Sequence, residues 1–342
     1  MEHLAPRQDP APDNTVECAI IIVAFNCWDH IYRCLDALQS QTLRTFRIII
    51  VDNGDATDAQ LERLSAYERL HYWKAPGNLG FAAGNNRGIE LAGDVPWVIM
   101  LNPDTLAEPD WFATLMQAAH RHPDYAVFGS KLLQSENPAL LDGLGDAYHI
   151  SGYAWRQGIG EADDPMDRQP FQTFSPCAAA ALYRKQAIES IAGLDEDFFC
   201  YLEDVDLGFR LQLTGHRCLI IPTARVHHVG SAVTGIRSDF YIYHGQRNIV
   251  WAFVKNMPGV LFWLLIPFHF VLNLVGIFRY ALLGRLGVVL RAKRDALRGI
   301  PLMMKKRNVI QKNRAARLGD ILRVLDKRPV PGIKRIMKAI WK

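Results

Sequence analysis

An α/β fold around a mostly parallel sheet is predicted by three features of this 342-residue chain. Apolar runs of strand length recur at 18–25, 46–51 and 97–101, the second broken only by Arg47, and stretches of helical period separate them. Strands apolar on both faces belong to sheets that helices cover on both sides. Each run also ends on polar residues, and ligands of such sheets sit beyond the carboxyl ends of the strands.

Composition agrees, since 49% hydrophobic residues are enough for a large core. The six cysteines, at 18, 27, 34, 177, 200 and 218, form no Cys-x-x-Cys pair, and the first residues lack an apolar signal segment. A reducing cytoplasm is therefore the expected compartment. Residues 1–14 contain Pro and Asp without periodicity and are expected to be a disordered lead-in to a domain at 15–255. The net charge of +4 hides an asymmetry: residues 279–342 hold nineteen Lys or Arg and three acids, so that tail is +16 and the rest is −12. Such a tail suits an anionic membrane or nucleic acid.

The first strand, from Cys18 to Phe25, ends at Asn26, and a helix follows from Asp29, its candidate cap, to Leu38. The second, Phe46 to Val51, ends in Asp52-Asn53-Gly54 before a helix containing Leu61 and Leu64. Asn26 and Asp52 sit where a ligand would bind, although each alone suits a plain turn. A short strand near 71–73 leads to the stretch from Gly77 through Asn78 and Gly80 to Gly88. Its small residues let backbone approach a ligand, and Asn85 and Arg87 offer polar contacts; a loop with a helix start fits it equally. The chain has neither Gly-x-Gly-x-x-Gly nor a P-loop, which removes the usual dinucleotide and NTPase signatures. The strand at 97–101 runs into Asn102-Pro103-Asp104-Thr105. An acid in a turn stiffened by proline suits a divalent cation that also touches a diphosphate, or an ordinary turn. A helix at 110–121 and a strand at 125–129 complete this half.

Residues 134–172 are richer in Gly, Asp and Pro, with Tyr148, Tyr153 and Trp155 among them. Short hairpins or a mobile loop are expected, either an acceptor surface or a surface excursion. A strand at 178–183 and a helix from Lys185 lead through Gly193-Leu194-Asp195 to the stretch from Phe199 to Leu211. There Glu203, Asp204 and Asp206 fall at a helix entrance, where the dipole favours negative charge; base chemistry and plain capping both fit. A strand at 216–221 precedes Val226-His227-His228-Val229-Gly230-Ser231, whose histidines are metal-ligand or structural candidates.

Taken in order, these residues resemble a family 2 glycosyltransferase of the GT-A fold over roughly residues 16–255. The resemblance rests on Phe25-Asn26, Asp52-Asn53, the loop from Asn78 to Asn85, Asn102-Pro103-Asp104, Gly193-Leu194-Asp195, Glu203-Asp204-Val205-Asp206 and His228. The Asn-Pro-Asp turn and the Glu-Asp-Val-Asp helix are similar to the rhamnosyltransferase-like branch, whose members often use dTDP-rhamnose to build cell-surface glycans. The resemblance implies that Asp52 contacts the nucleotide base and that Phe25, Asn26, Asn53, Asn78, Gly80, Asn85, Arg87, Asn102 and Asp104 line the donor. It implies Mg²⁺ or Mn²⁺ held by Asp104 and His228, with His227 a second candidate. Asp204 is then the general base, with Glu203 and Trp155 on the acceptor side. Asn102 departs from the family's metal motif, which often begins with Asp. The Gln-x-x-Arg-Trp of processive members is replaced by His244-Gly245-Gln246-Arg247-Asn248, which favours adding one or a few sugars.

A carboxylate that takes the acceptor proton during attack contributes about 10² to 10⁴ in rate, and a single displacement inverts the anomeric centre. A nucleotidyltransferase and a non-catalytic sugar-nucleotide-binding assembly protein are the competing readings.

Residues 259–278 carry no formal charge over twenty positions, about a bilayer's thickness. A single crossing would put the +16 tail and the donor domain on opposite sides, although both belong with the cytoplasm. A segment lying in or re-entering the cytoplasmic face of the inner membrane is expected, with anionic lipid on the tail and a lipid-linked glycan as acceptor. A buried helix or an oligomer interface fits the same run. Nucleic acid is not expected, because the tail directly follows the apolar segment.

Overall fold

The computed structural model describes residues 16–230 and 238–328; the lead-in at 1–14 and Ser231 lie outside the described residues. Strands β1 (Cys18–Ala24), β2 (Phe46–Asp52), β3 (Leu70–Lys74) and β4 (Trp97–Leu101) pair in parallel in the order β3-β2-β1-β4. Alternate residues serve opposite cores. Ile20 and Ile22 of β1 pack with helix α1 (Trp28–Gln39), whereas Ala19 and Ile21 face a separate cluster that includes Ala82 and Ile89. This two-sided burial is why β1 and β4 read as unbroken apolar runs, whereas the edge strand β3 does not. After α1, Thr57 caps α2 (Asp58–Leu64) in a capping box with Gln60. Helix α3 (Gly80–Leu91) lies so close to β1 that a Cβ on Gly88 would sit 2.3 Å from an Ile21 methyl.

A short β5 (Thr105–Ala107) precedes α4 (Trp111–Arg121) and β6 (Val127–Gln134). The region at 134–172 forms short strands β7 (Leu141–Gly143), β8 (Asp146–Tyr148) and β9 (Ala154–Arg156), then β10 (Phe171–Thr173). Here β8 and β9 make the expected hairpin. Strand β11 (Ala180–Arg184) follows, then α5 (Lys185–Glu189), α6 (Glu203–Leu213) and β12 (Cys218–His228). The sheet extends as β3-β2-β1-β4-β11-β6-β12-β10, with β11 antiparallel to both neighbours and β12 parallel to β6.

Three local expectations are corrected. Asp29 lies in the first turn of α1, and the capping position is Cys27, whose side chain makes no capping bond. The helix α6 is entered through Leu202 at φ 66° with no side-chain cap, so the acids do not act as its N-cap. The histidine pair does not follow a strand but ends one: β12 continues across Pro222 because its pairing with β6 shifts register between Ile221 and Arg225.

The C-terminal part is helical: α7 (Asp239–Asn256), α8 (Gly259–Leu282), α9 (Leu286–Lys312) and α10 (Leu318–Val324). These helices share one apolar core with Tyr148, Phe174, Val205 and Phe209. The turn after α9 closes α6 as well, since the backbone N–H groups of Ala315 and Ala316 donate to the Leu213 carbonyl.

Candidate active site

The carboxyl ends of β1, β2 and β4 bring the polar residues named from the sequence to one edge of the sheet. At the end of β1, Phe25 is exposed, and Asn26 adopts φ 51° while its Oδ1 accepts from the Asp55 N–H at 2.9 Å. Asp52 is wholly buried, with Oδ1 accepting the Gly54 N–H (2.9 Å) and Oδ2 accepting the Tyr72 hydroxyl (2.8 Å). Asn53 donates to the Gly80 carbonyl at 3.0 Å, which ties β2 to the start of α3. Asn78 Oδ1 accepts from Gly80 N–H at 2.9 Å.

The first amides of α3 do not point at open space. Phe81 N–H and Ala82 N–H both donate to the Phe199 carbonyl, at 2.7 and 3.2 Å. Gly80, at φ 83°, permits this approach, because a Cβ there would lie 2.6 Å from the Phe199 ring. Asn85 donates to the Phe81 carbonyl and keeps its Oδ1 buried without a partner, as does Asn102 at the end of β4. Arg87 is turned to the other side, paired with Glu90 at 2.8 Å and lying over the Trp73 ring at 4.7 Å.

Asp104 and His228 meet because β5 pairs antiparallel to β12 with Thr105 opposite His228. The Val229 N–H donates to the Asp104 carbonyl, closing the turn. His228 Nδ1 is 2.7 Å from Asp142 Oδ2, and its Nε2 lies 3.3 Å from Asp104 Oδ1 without a hydrogen bond of good geometry. Asp142 also accepts from Arg156 at 2.7 Å. Burial alone would raise the Asp142 carboxyl, but His228 and Arg156 hold it below its ordinary value. His227, one residue earlier, faces the opposite way by strand alternation and lies 3.3 Å from Glu108. Among the described residues, no three His, Cys, Asp or Glu side chains gather as a complete metal cluster. The Asp104 and His228 pair nonetheless fits a divalent ion, since a carboxylate on one ring nitrogen fixes the tautomer that leaves the other free to coordinate.

The acidic helix lies nearby through the segment leading into β11. Asp204 Oδ2 accepts from Ala178 N–H at 3.2 Å, and the next carbonyl, Ala179, accepts from Asn102 N–H at 2.9 Å. Burial raises the Asp204 carboxyl, opposed by the Ala178 N–H and Arg156. Glu203 is pushed well up by burial and by Asp204, and its Oε2 is buried without a partner. Asp146 is pushed up to about 7 by burial and Asp204. Trp155 stacks on Tyr153 in the β8–β9 hairpin, with ring centroids 5.9 Å apart. A separate cleft of about 200 Å³ lies near the start of β2, lined by Arg44, Phe46 and Glu68, far from these groups in the sheet.

The family model described as glycosyl transferase family 2 matches residues 19–192, which is more than half of the chain. The chain belongs to that family.

Among its relatives is the N-acetylglucosaminyl-diphospho-decaprenol L-rhamnosyltransferase of Mycobacterium tuberculosis, 28% identical over 68% of this chain and 85% of that protein. Rhamnosyltransferase WbbL of Escherichia coli is 26% identical over 67% of this chain and 85% of its own length. The family 2 chain is thus a glycosyltransferase with rhamnosyltransferase-like relatives. Its GT-A fold is shared with GalNAc-T7, solved with UDP, GalNAc and Mn²⁺, at a TM-score of 0.58 and 14% identity over 71% of this chain and 48% of that one. TarS of S. aureus matches at a TM-score of 0.56 and 13% identity, over 89% of this chain and 54% of that one. The glycosyltransferase therefore spans about half the length of those two solved chains.

Several residues of this glycosyltransferase escaped the sequence reading. Asn86, rather than Asn85, reaches the Gly193-Leu194-Asp195 stretch: its Nδ2 donates to the Leu194 carbonyl and Glu196, and its Oδ1 accepts from Leu194 N–H. Phe199, Tyr201 and Leu202 all have positive φ immediately before α6, a conformation costing about 1–3 kcal/mol per residue. The stretch from His244 to Asn248 holds them there. Asn248 Nδ2 donates to the carbonyls of Phe198, Cys200 and Tyr201, Arg247 donates to those of Asp197 and Phe198, and His244 stacks on Phe199. Lys255, also on α7, lies between Asp195 and Asp206, and Arg210 and Asn256 complete the Asp206 shell.

Proposed function

We propose that this glycosyltransferase moves one sugar, with rhamnose from dTDP-rhamnose the leading donor, onto a hydroxyl of a lipid-linked glycan precursor. The transfer is metal-dependent and inverts the anomeric centre. The observation that carries the reading is the His228 ring, its Nδ1 on Asp142 and its buried Nε2 beside Asp104, at the edge where β1, β2 and β4 end. Asp104 and His228 would hold Mg²⁺ or Mn²⁺, with donor and water oxygens completing the shell. A bound ion of this kind neutralises the negative charge that develops on the leaving diphosphate.

The remaining steps belong to the chain's own groups. Asp204 takes the proton from the acceptor hydroxyl as it attacks, and its raised carboxyl makes it a better base than an ordinary aspartate. The Ala178 N–H holds that carboxylate in place. Glu203 and Trp155 serve the acceptor side. Phe25, Asn26, Asn53, Asn78, Gly80, Asn85 and Asn102 border the donor, with the buried Asp52 and its Tyr72 partner shaping the base end, whereas Arg87 is engaged by Glu90 and Trp73. The rhamnosyltransferase names of two relatives support the donor sugar, and the decaprenol substrate in one of those names supports a lipid-linked acceptor. The free cysteines and the exposed apolar side chains of α8 support a place at the cytoplasmic face of the membrane.

The test is nucleoside diphosphate release from a panel of nucleotide sugars, with Mn²⁺, Mg²⁺ or EDTA, for the wild type and Asp104→Ala. Metal-dependent release lost in Asp104→Ala supports the reading; equal release in EDTA overturns its metal.

A further inference from the structure

We propose that the outward face of α8 docks flat into the interface of an anionic lipid bilayer, with the helix axis in the membrane plane rather than across it. At 24 residues, or about 36 Å, the helix is long enough to span. Its attachments forbid that. Near its start, Arg307 lies over the Phe262 ring at 4.2 Å. In the middle, His269 stacks on Phe253 at 4.1 Å, and its Nδ1 is 2.8 Å from the Ser151 carbonyl. Near its end, Tyr280 packs with Ile242 and Val289. A helix held along its length to a glycosyltransferase body cannot cross a bilayer without taking Arg307, Lys293 and the charges around Asp206 into hydrocarbon.

Two polar side chains of the run at 259–278, His269 and Asn273, face inward. His269 is buried against the body, and Asn273 donates to the His269 carbonyl at 2.7 Å. The outward side chains are apolar throughout: Trp263 is 68% exposed and Phe278 66%, with Leu264, Phe268, Phe270 and Leu274 between them. Water-soluble monomers rarely show a continuous patch of this kind. Charge selects its occupant. Arg285, just before α9, pairs with Asp239, and Arg294 and Arg298 on α9 share the single Asp295; their side chains are 49%, 56% and 69% exposed, within a +16 segment that holds three acids. Apolar insertion beside exposed arginines matches an anionic headgroup layer.

The inward face of α8 meets the turn of the β8–β9 hairpin, where a Cβ on Gly152 would lie 2.7 Å from His269 Nδ1. Docking therefore sets the hairpin that carries Trp155 beside the membrane, the surface from which a lipid-linked acceptor arrives; this last consequence alone rests on the proposed reaction.

The experiment floats the full chain with vesicles of phosphatidylcholine alone or mixed with phosphatidylglycerol. Expected are co-flotation with the anionic vesicles, weakening as salt rises, and partitioning at least about tenfold lower for Trp263→Glu/Phe270→Glu/Phe278→Glu with unchanged circular dichroism. Trp263→Glu alone gives a smaller loss of the same sign. Wild-type chain that stays with neither vesicle overturns the proposal. Equal partitioning of the variants does so too, and resistance to alkaline carbonate extraction from native membranes would mean a crossing helix. A dimer that the triple variant converts to monomer, without vesicle binding by the wild type, would assign the face to a second copy instead.

Discussion

Replacing Asp142 by Asn separates the orientation of His228 from its presence. Asp142 Oδ2 accepts two short charge-assisted bonds, from His228 Nδ1 and from Arg156, each 2.7 Å. The amide keeps the shape but offers one neutral oxygen and an N–H₂ group. If the oxygen stays on Arg156, the N–H₂ faces Nδ1, the proton moves to Nε2, and the ring no longer presents a lone pair towards Asp104. If the oxygen turns to His228, the ring keeps its tautomer but loses the charge that raises its basicity. Partners of this kind are worth about 10- to 100-fold in metal affinity, or about 1.4–2.7 kcal/mol. Mn²⁺ titration followed by paramagnetic resonance, with nucleoside diphosphate present, measures it directly. Affinity within about twofold of wild type, in a variant of unchanged melting temperature, would refute the reasoning.

Asp204→Asn is expected to lower kcat by about 10² to 10⁴ while leaving donor binding unchanged. The base works deprotonated, so wild-type kcat/KM falls as pH drops through the Asp204 pKa, and burial sets that limb above the ordinary carboxylate range. A pH–rate profile with no such limb counts against the assignment. Lys255→Met removes the cation between two buried acids and is expected to cost about 3 kcal/mol or more in urea unfolding. Asp146→Asn has a pH signature. With its folded pKa raised to about 7, this carboxyl contributes stability that is full below its unfolded value, about 3.9, and is lost as pH rises through about 7. The melting temperature of Asp146→Asn relative to wild type should therefore be higher at pH 8 than at pH 5.

Burial explains which parts of this molecule were legible in the sequence. Strands β1, β2 and β4 are covered on both faces, so they stand out as apolar runs, and the polar residues ending them mark the ligand edge. The direction of β11 leaves no such trace, because an apolar run reads the same either way. In β12, Pro222 and Arg225 interrupt the pattern. The shifted register absorbs the break, and Arg225 is paid for by Glu108 and Asp163.

At the site, Asp104, Asp204 and His228 carry chemistry in short motifs, whereas Asp142 is one acid in an irregular stretch, and it meets His228 86 positions away. Asn248 stands out in sequence only as part of the stretch from His244, and its role in holding the loop does not show there, since its partners are loop carbonyls nearly fifty residues upstream. The histidine choice required the pleat: both neighbours look alike in sequence, and only the pairing of Thr105 with His228 turns one of them towards Asp104.

The most direct measurement of the central claim incubates the full chain with nucleotide sugars, dTDP-rhamnose first, and a polyprenyl-diphosphate sugar acceptor, with Mn²⁺ or Mg²⁺ and with EDTA. Expected is the metal-dependent appearance of one nucleoside diphosphate per glycosylated acceptor, with the anomeric configuration inverted. Retained configuration, pyrophosphate released from a nucleoside triphosphate, or sugar-nucleotide binding without turnover on any acceptor would contradict it.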